Sequence, residues 1–427
     1  MTGNCPNLSP ITAQNKAQKV DGQHGQKVAI LGATGSIGTS TLDILSRHDD
    51  KYDVYALSGH SRLDELFQLC VRWRPKRVAV PKWQVDAFAQ RLSKADLQID
   101  VVAGQAGLDD IACDPQVDTV VAAIVGSAGL SSTLMAVQAG KRVLLANKEA
   151  LVMAGSLMMH HAKLSGAKIL PVDSEHNAIF QCLPQTVQQN QHAIHDKHHG
   201  ISQLWLTASG GPFLSASFDE MQSATVEQAV NHPNWSMGQK ISVDSATMMN
   251  KGLELIEACY LFDLPEDKIQ VVMHPQSIVH SLVQYADGSF LAQMGSPDMR
   301  TPIAHVLSFP ERIDSGVVPL NLYELGKLEF LPPDLHKFKC LALAREAMRA
   351  GSWATISLNA VNEVAVQAFL DGHIRLTDIA NMNENVLNSM SQHQYPNEIN
   401  DLASILAIDN DSRALAKHNI EKNHISK

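Results

Sequence analysis

The chain has no apolar run approaching the ~20 residues that a membrane-spanning helix needs, no Cys-x-x-Cys pair, no surplus of positive charge and no internal repeat. Each absence excludes something. No membrane segment is expected, and the first 26 residues, rich in Gln, Asn, Lys and Gly, lack the apolar stretch of a secretory signal. They read as a disordered tail, poorer in Arg and Ser than an organelle transit peptide. The six cysteines, Cys5, Cys70, Cys113, Cys182, Cys259 and Cys340, are scattered with no zinc-type spacing, which fits reduced thiols in the cytoplasm. A formal net charge of -10, with both signs interspersed, makes nucleic acid or an anionic membrane a poor main partner.

What is present is enough chain, 427 residues, for two or three domains with proper cores. From Lys27 onward short β-branched runs alternate with helical stretches: Val28–Leu31, Asp53–Leu57, Arg77–Val80, Val120–Ile124, Val143–Ala146 and Lys168–Val172. Strands alternating with helices predict a parallel, doubly wound α/β sheet. A polar, His-rich stretch from Gln185 to Gly200 reads as an exposed loop. Runs at Leu204–Thr207 and Ile269–Met273, followed by alternation from Ile278 to Ala292, predict a second α/β region with its own sheet. Pro310, Pro319, Pro332 and Pro333 punctuate a linker, and Cys340–Ala350 and Asn359–Leu370 have the periodicity of a helical bundle.

Directly after the first strand stands Gly32-Ala33-Thr34-Gly35-Ser36-Ile37-Gly38, then a helical stretch. Glycines there let backbone N–H groups approach a pyrophosphate, whose charge the helix N-terminus favours. The G-x-x-G-x-x-G spacing is less specific than G-x-G-x-x-G, and a plain strand–turn–helix junction is the alternative. After the second strand comes Ser58-Gly59-His60-Ser61-Arg62, with no acid where NAD sites place one. A hydroxyl, an imidazole and a guanidinium suit a ribose 2′-phosphate and hence NADP, unless Arg62 merely opens a solvated helix.

Strand ends also release Asn147-Lys148-Glu149 and Asp173-Ser174-Glu175-His176. Asp173 and Glu175, two apart in an extended exit, can point to one side. Lys251 and Glu254, three apart on a helix, share a face. Three carboxylates with open positions suit Mg²⁺ or Mn²⁺ rather than zinc, although singly Asp173 and Glu175 can be a cap or a surface pair. Thr207-Ala208-Ser209-Gly210-Gly211-Pro212, with Ser245, Asn250 and Lys251, suggests a phosphate site, or at Gly210-Gly211-Pro212 an ordinary turn. His232-Pro233-Asn234-Trp235-Ser236-Met237-Gly238 has the composition of a mobile lid, or of a core-packing loop. His274 can contact substrate or satisfy a buried turn. His192, His195, His198 and His199 read as a solvated loop, because no second ligand type accompanies them.

The segments GATGSIG, LLANKE, LPVDSEHNAIFQ, ASGGPF, HPNWSMG, KISVDSATMMNKGLE, HPQS and SPDMRTPIAH follow in order from Gly32 to His305. Together they closely resemble the 1-deoxy-D-xylulose 5-phosphate reductoisomerases, over almost the whole chain after Gln26. The resemblance implies isomerisation of 1-deoxy-D-xylulose 5-phosphate by retro-aldol and aldol steps, then NADPH-dependent reduction to 2-C-methyl-D-erythritol 4-phosphate, an isoprenoid-precursor step. It implies Mg²⁺ or Mn²⁺, with Co²⁺ as a further option, on Asp173, Glu175 and Glu254, with Lys148 and Ser174 beside the substrate oxygens. Phosphate contacts fall to Ser209, Ser245, Asn250 and Lys251, with His232 in the pocket, Trp235 and Met237 closing over it, and His274 and Met299 lining the far side. Cofactor contacts are expected at Thr34, Gly35, Ser36, Ile37, Gly59, His60, Ser61, Asn147, Glu149 and Gly238. The Gly59-His60-Ser61 triplet departs from the family's frequent Gly-Lys-Asn. A homodimer is implied. The expected division is a tail over 1–26, a Rossmann-like NADPH domain over 27–172, a catalytic domain over 173–308 with its lid near 231–240, a linker over 309–334 and a helical domain over 335–427. Two other readings stay open: a plain NADP-dependent dehydrogenase of a hydroxy or amino acid, which leaves the three carboxylates unexplained, and a nucleotide-sensing regulator without turnover.

Overall fold

The computed structural model describes residues 25–235 and 237–425. Most of the expected tail, residues 1–24, lies outside the described residues, but Gln26 already opens the first strand. Its side-chain amide donates to Thr119 Oγ1 at 2.8 Å.

Seven parallel strands form the larger sheet: β1 Gln26–Leu31, β2 Tyr52–Ser58, β3 Arg77–Val80, β4 Asp100–Ala103, β5 Thr119–Ala122, β6 Arg142–Leu145 and β7 Lys168–Pro171, in the order β4-β3-β2-β1-β5-β6-β7. The order reverses at β1, between β2 and β5, so a crevice opens beyond the carboxyl end of β1, where open α/β sheets take ligands. Six of these strands coincide with the apolar runs read from the sequence. β4 is not among them: Asp100-Val101-Val102-Ala103 has only two valines, is short and lies at the sheet edge.

The second sheet is mixed, in the order β11-β10-β8-β9, from β8 Ile201–Ala208, β9 Ile269–Met273, β10 Val279–Tyr285 and β11 Phe290–Met294. Only β8 and β9 run parallel, joined through the helices Gln239–Ala246 and Met249–Leu261. Those two helices meet at Met248, whose φ of 62° is a left-handed conformation that β-carbon sterics disfavour. The stretch from Gln185 to His199 is not irregular. It forms a short helix, Gln185–Gln189, and two 3₁₀ turns, anchored by Val187 and Ile194 in the core.

The proline-punctuated segment 309–334 carries one short helix, Leu322–Leu325, and touches the second sheet where Leu331 and Met273 exchange backbone hydrogen bonds of 2.8 and 3.0 Å. Beyond it four helices, Lys339–Ala350, Ser352–Leu370, Asp378–Met390 and Leu402–Ile425, pack on one another. Ser352–Leu370 is almost entirely buried and also contacts the helix Lys148–Ser165, tying the bundle to the first sheet's side of the molecule. The described cysteines are free. No helix among the described residues is long and apolar enough to cross a membrane.

Candidate active site

The turn after β1 is shaped by contact, not by side-chain chemistry. Gly32 has φ +91°, and a β-carbon there would lie 2.7 Å from the Ala123 carbonyl oxygen. At Gly38 a β-carbon would meet Gly32 O at 2.5 Å and Ala33 Cα at 2.6 Å, so helix Ser36–Arg47 can press against the strand only with glycine there. Gly35 precedes the first helical residue. Ser58, at the end of β2, accepts the Gly32 N–H at 2.8 Å and fixes the turn from the side. Ser58 is therefore buried structure, while Gly59, His60 and Ser61 follow it at the rim. His60 meets the edge of Trp83 at 5.7 Å, and Arg62 pairs with Glu65 at 3.3 Å. Sequence reasoning did not single out Trp83, whose exposure and contact with His60 only the fold reveals.

Next along the same edge, Asn147 caps the helix Lys148–Ser165, accepting from Ala150 N at 3.3 Å and donating to Gly126 O at 3.0 Å. This cap aims Lys148 inward. Its Nζ lies 2.7 Å from Asp173 Oδ2 and 2.9 Å from Glu254 Oε1, and it donates to Asn250 Oδ1 at 3.0 Å. Glu149 turns the other way and pairs with Lys240 at 2.5 Å.

Asp173 and Glu175 do come together, but not by strand alternation. Asp173 is the N-cap of helix Ser174–Cys182 and accepts the Glu175 N–H at 3.1 Å, so the expected extended exit is a helix start. Asp173 is both the cap and a cluster member. Lys251 and Glu254 share a helical face as expected, with the ammonium donating to the carboxylate, and Asn250 donates to the same group. Oxygens of Asp173, Glu175 and Glu254 all lie within 4.8 Å of one another.

The electrostatics follow from crowding. Burial raises the Glu175 carboxyl, and the nearby Glu254 and Asp173 add to it, lifting its pKa to about 8 against the pull of Lys251. Burial also works against charge on Asp173 and Lys148, yet they stabilise each other, leaving Asp173 well below and Lys148 well above the usual range. Beneath the cluster sits His176, fully buried, with Nδ1 3.3 Å from Asp173 Oδ1 and 3.2 Å from Glu257 Oε2, and Nε2 donating to the Glu254 carbonyl at 2.8 Å. Burial disfavours its cation, but Glu257 and Asp173 raise its pKa to about 9. Neither His176 nor Glu257 was singled out from sequence. Their signal was the i, i+3 spacing from Asp173 and from Glu254.

Lys148, Asp173, Glu175 and Glu254 line a cavity of about 380 Å³ that reaches Ser36 and Ile37 on one side and Ser209, His232, Ser245 and Asn250 on another. His232 is held in one tautomer: Nδ1 accepts the Asn234 and Trp235 N–H groups at 3.1 and 3.0 Å, so Nε2 carries the proton toward Ser209 Oγ at 2.8 Å. Burial lowers its pKa, in keeping with a neutral ring. Trp235, Met237 and Gly238 line the cavity, as do Ser174, Lys251 and Met299. Asn234 pins the segment by donating to Pro275 O at 2.6 Å and Ser277 Oγ at 3.1 Å. Ser236 lies outside the described residues.

His274 is in its turn rather than in the cavity. Nδ1 donates to Glu329 O at 2.9 Å, Nε2 accepts the Ile278 and Val279 N–H groups at 3.2 Å each, and the ring stacks on Phe330. With both nitrogens engaged, it supports the wall instead of meeting a ligand. The expectation that no second ligand type accompanies the surface histidines is also corrected: Asp263, from the turn after helix Met249–Leu261, takes His192 at 3.0 Å and His195 at 2.9 Å. His199 meets Thr186 at 3.1 Å.

Known proteins resemble this chain over most of its length. Residues 28–155 match the model of 1-deoxy-D-xylulose 5-phosphate reductoisomerase, 169–262 its C-terminal domain model and 294–415 a further DXP reductoisomerase C-terminal domain model. The chain is 69% identical over 365 residues to the 1-deoxy-D-xylulose 5-phosphate reductoisomerase of Psychrobacter sp. (strain PRwf-1), spanning 86% of this chain and 89% of that protein. It is 55% identical over 403 residues to that of Pseudomonas savastanoi pv. phaseolicola, spanning 93% and 98%. A crystal structure of DOX-P reductoisomerase in complex with NADPH, fosmidomycin and magnesium superposes with a TM-score of 0.90 at 57% identity, covering 93% of this chain and 98% of that one. The Zymomonas mobilis enzyme in complex with NADPH gives 0.84 at 43% identity, covering 93% and 100%. The chain belongs to the 1-deoxy-D-xylulose 5-phosphate reductoisomerase family.

Proposed function

We propose that this chain converts 1-deoxy-D-xylulose 5-phosphate to 2-C-methyl-D-erythritol 4-phosphate, with NADPH as reductant and a divalent cation, Mg²⁺ or Mn²⁺, on Asp173, Glu175 and Glu254. The observation that carries the reading is the convergence of those three carboxylates with Lys148 in a cavity that opens toward the glycine turn. The carboxylates fit a hard cation. Three acidic groups share one space, and burial together with its acidic neighbours raises Glu175, a cost that a cation removes. When bound, the cation supplies Lewis-acid polarisation of the substrate's vicinal oxygens, and NADPH supplies the hydride.

The chain's own residues do the rest. Lys148, held cationic and anchored by the Asn147 cap, presents donors to the substrate hydroxyl and carbonyl oxygens, beside the Ser174 hydroxyl. Ser209, Ser245, Asn250 and Lys251 receive the phosphate, and His232 orients the Ser209 hydroxyl through its Nε2 proton. Fixing the phosphate keeps the phosphate-bearing fragment in place while a carbon bond is broken and remade, and the contacts of Lys148 and Ser174 to the hydroxyl and carbonyl oxygens hold the other. Trp235 and Met237 exclude water from that step. Thr34, Gly35, Ser36 and Ile37 take the pyrophosphate, and Gly59, His60 and Ser61 stand where a 2′-phosphate lies. Glu149 acts through its pair with Lys240, and Gly238 gives backbone access at the lid's exit.

The reading includes an NADPH domain over 27–172, a catalytic domain over 173–308, a linker over 309–334 and a helical domain beyond, in a cytoplasmic enzyme. It also includes a homodimer. β11 has no strand on its outer edge among the described residues, and Phe290 and Leu291 on it, with Val318, Tyr323 and Phe330 of the linker, are exposed apolar groups. An open strand edge beside exposed apolar groups is the kind of surface that a second copy covers.

The test is NADPH consumption with 1-deoxy-D-xylulose 5-phosphate, followed by absorbance, with and without chelator and against NADH. Rapid turnover that chelator abolishes and NADPH supports better than NADH is expected. Turnover indifferent to chelator, or none with added Mn²⁺, contradicts the assignment.

A further inference from the structure

Lys240 lies two residues after Gly238, in the first turn of the helix Gln239–Ala246 that ends the lid segment. Its ammonium is not spent on solvent. It sits 2.5 Å from Glu149 Oε1 and 2.9 Å from Asp244 Oδ2, with 23% of the Lys240 side chain, 7% of Glu149 and 1% of Asp244 exposed. Asp244 in turn accepts from Asn362 Nδ2 at 2.7 Å, so the network runs from the helical bundle through the lid's exit to the start of helix Lys148–Ser165.

The two ends of that connection matter. Glu149 follows Lys148, the group that touches both Asp173 and Glu254, and comes two residues after the Asn147 cap. Gly238, at the other end, lines the cavity. A charged pair this far from water is costly to form and costly to break on one side alone, so the arrangement fixes relative position more than it adds stability. Burial weighs against the Lys240 cation, and Asp244 and Glu149 reverse this, raising its pKa, while Lys240 keeps the Glu149 carboxyl below its usual range.

We infer that Lys240 is a positioning residue that ties the lid's exit at Gly238 to the Asn147–Glu149 turn, so that the two halves of the cofactor face are held in register. The inference rests on the functional reading above, since it takes NADPH to lie between those two segments. It assigns Lys240 no contact with the reacting atoms. It explains why a lid built from mobile-looking residues ends on a buried ion pair: the entry is pinned by Asn234 to the Pro275–Ser277 turn, and the exit by Lys240 to the first sheet's helix.

The experiment is equilibrium binding of NADPH to the full chain without substrate, followed by nucleotide fluorescence, for the wild type, Lys240→Met and Lys240→Arg. Mn²⁺ affinity is measured in parallel. Lys240→Met is expected to weaken NADPH about tenfold, the scale of a misplaced binding group, while Mn²⁺ affinity stays unchanged, and Lys240→Arg is expected to restore most of the NADPH affinity. A purely structural ion pair would lower the melting temperature of Lys240→Met and leave its NADPH affinity alone, which overturns the inference. A parallel loss of Mn²⁺ affinity also overturns it, as does an arginine variant no better than the methionine one. Where Lys240→Met does not fold, the uncharged pair Glu149→Gln with Lys240→Gln is compared with Glu149→Gln alone. Equal NADPH affinities, both about tenfold below the wild type, support action through Glu149; wild-type affinity in both, or a further about tenfold loss in the double variant, contradicts it. A wild type that does not bind NADPH at all strikes the functional reading itself, a result separate from these variant comparisons.

Discussion

The glycine turn and the carboxylate cavity lie at the same edge of the first sheet, but they are built by opposite means. The turn is a backbone device. Its shape depends on the absence of β-carbons at Gly32 and Gly38, and what it needs lies within seven residues, one hydroxyl, Ser58, and the backbone at Ala123. The cavity is a side-chain device. Lys148, Asp173, Glu175 and Glu254 come from three helices, and their charges are set by one another and by burial. A backbone site tolerates no added atoms, whereas a side-chain site tolerates no change of charge. The two therefore break in different ways.

The largest expected effect is on the charge side. Glu254→Gln keeps the shape and, through its amide oxygen, the hydrogen bonds that Asn250 and Lys148 donate, but removes one carboxylate charge and the acceptor of the Lys251 ammonium. Metal-dependent kcat/KM is expected to fall about a thousandfold, comparable to losing one group that stabilises developing charge, with the fold retained at some cost in stability from the ammonium left without that acceptor. Full activity in that variant would sink the assignment of the cluster. On the backbone side the converse applies: Gly38→Ala adds one methyl against Gly32 O and Ala33 Cα, and about 2 kcal/mol of stability is expected to be lost by overpacking. Urea unfolding reads this directly, and an unchanged midpoint would mean that the turn is looser than it looks.

A third variant asks whether either site depends on a second copy. Phe290→Asp places a charge on the open edge of β11, a strand that packs against the helix Ser174–Cys182, and is expected to convert a dimer to a monomer by light scattering. A wild type that is already monomeric contradicts the dimer. The smallest effect concerns support for the cavity. His305 Nδ1 accepts from Asn177 Nδ2 at 3.2 Å, and burial lowers its pKa to about 4. The unfolded chain takes up this proton near pH 6.5 and the folded one only near 4, so the stabilisation is complete above the higher value and is lost as pH falls through this window. His305→Gln is expected to lose less of its urea midpoint between about pH 7.5 and about pH 5 than the wild type does. An equal loss would assign the acid sensitivity elsewhere.

This contrast also accounts for what sequence reading reached. The turn was legible because its determinants are contiguous: glycine spacing after a β-branched run and before a helix. The parallel sheet was legible for the same reason, strand by strand, apart from β4. The carboxylates were legible as residues, but the geometry joining Asp173 to Glu175 was not, because a capping aspartate and an extended one look alike in sequence. His274 and His192 show the remaining limit. Whether an imidazole faces a cavity, a backbone turn or a carboxylate 71 residues away depends on packing that local pattern does not encode. His176, Glu257 and Lys240 were missed because at least one partner of each lies on another helix, Glu257 and His176 for one another and Glu149 for Lys240.

The central claim is that Asp173, Glu175 and Glu254 form one divalent-cation site, and the most direct test is Mn²⁺ binding, followed by electron paramagnetic resonance, in the wild type and in Asp173→Asn. One tight Mn²⁺ per chain is predicted for the wild type, and its loss is predicted in the variant with the fold intact. Equal Mn²⁺ affinity and stoichiometry in the two proteins would contradict the account.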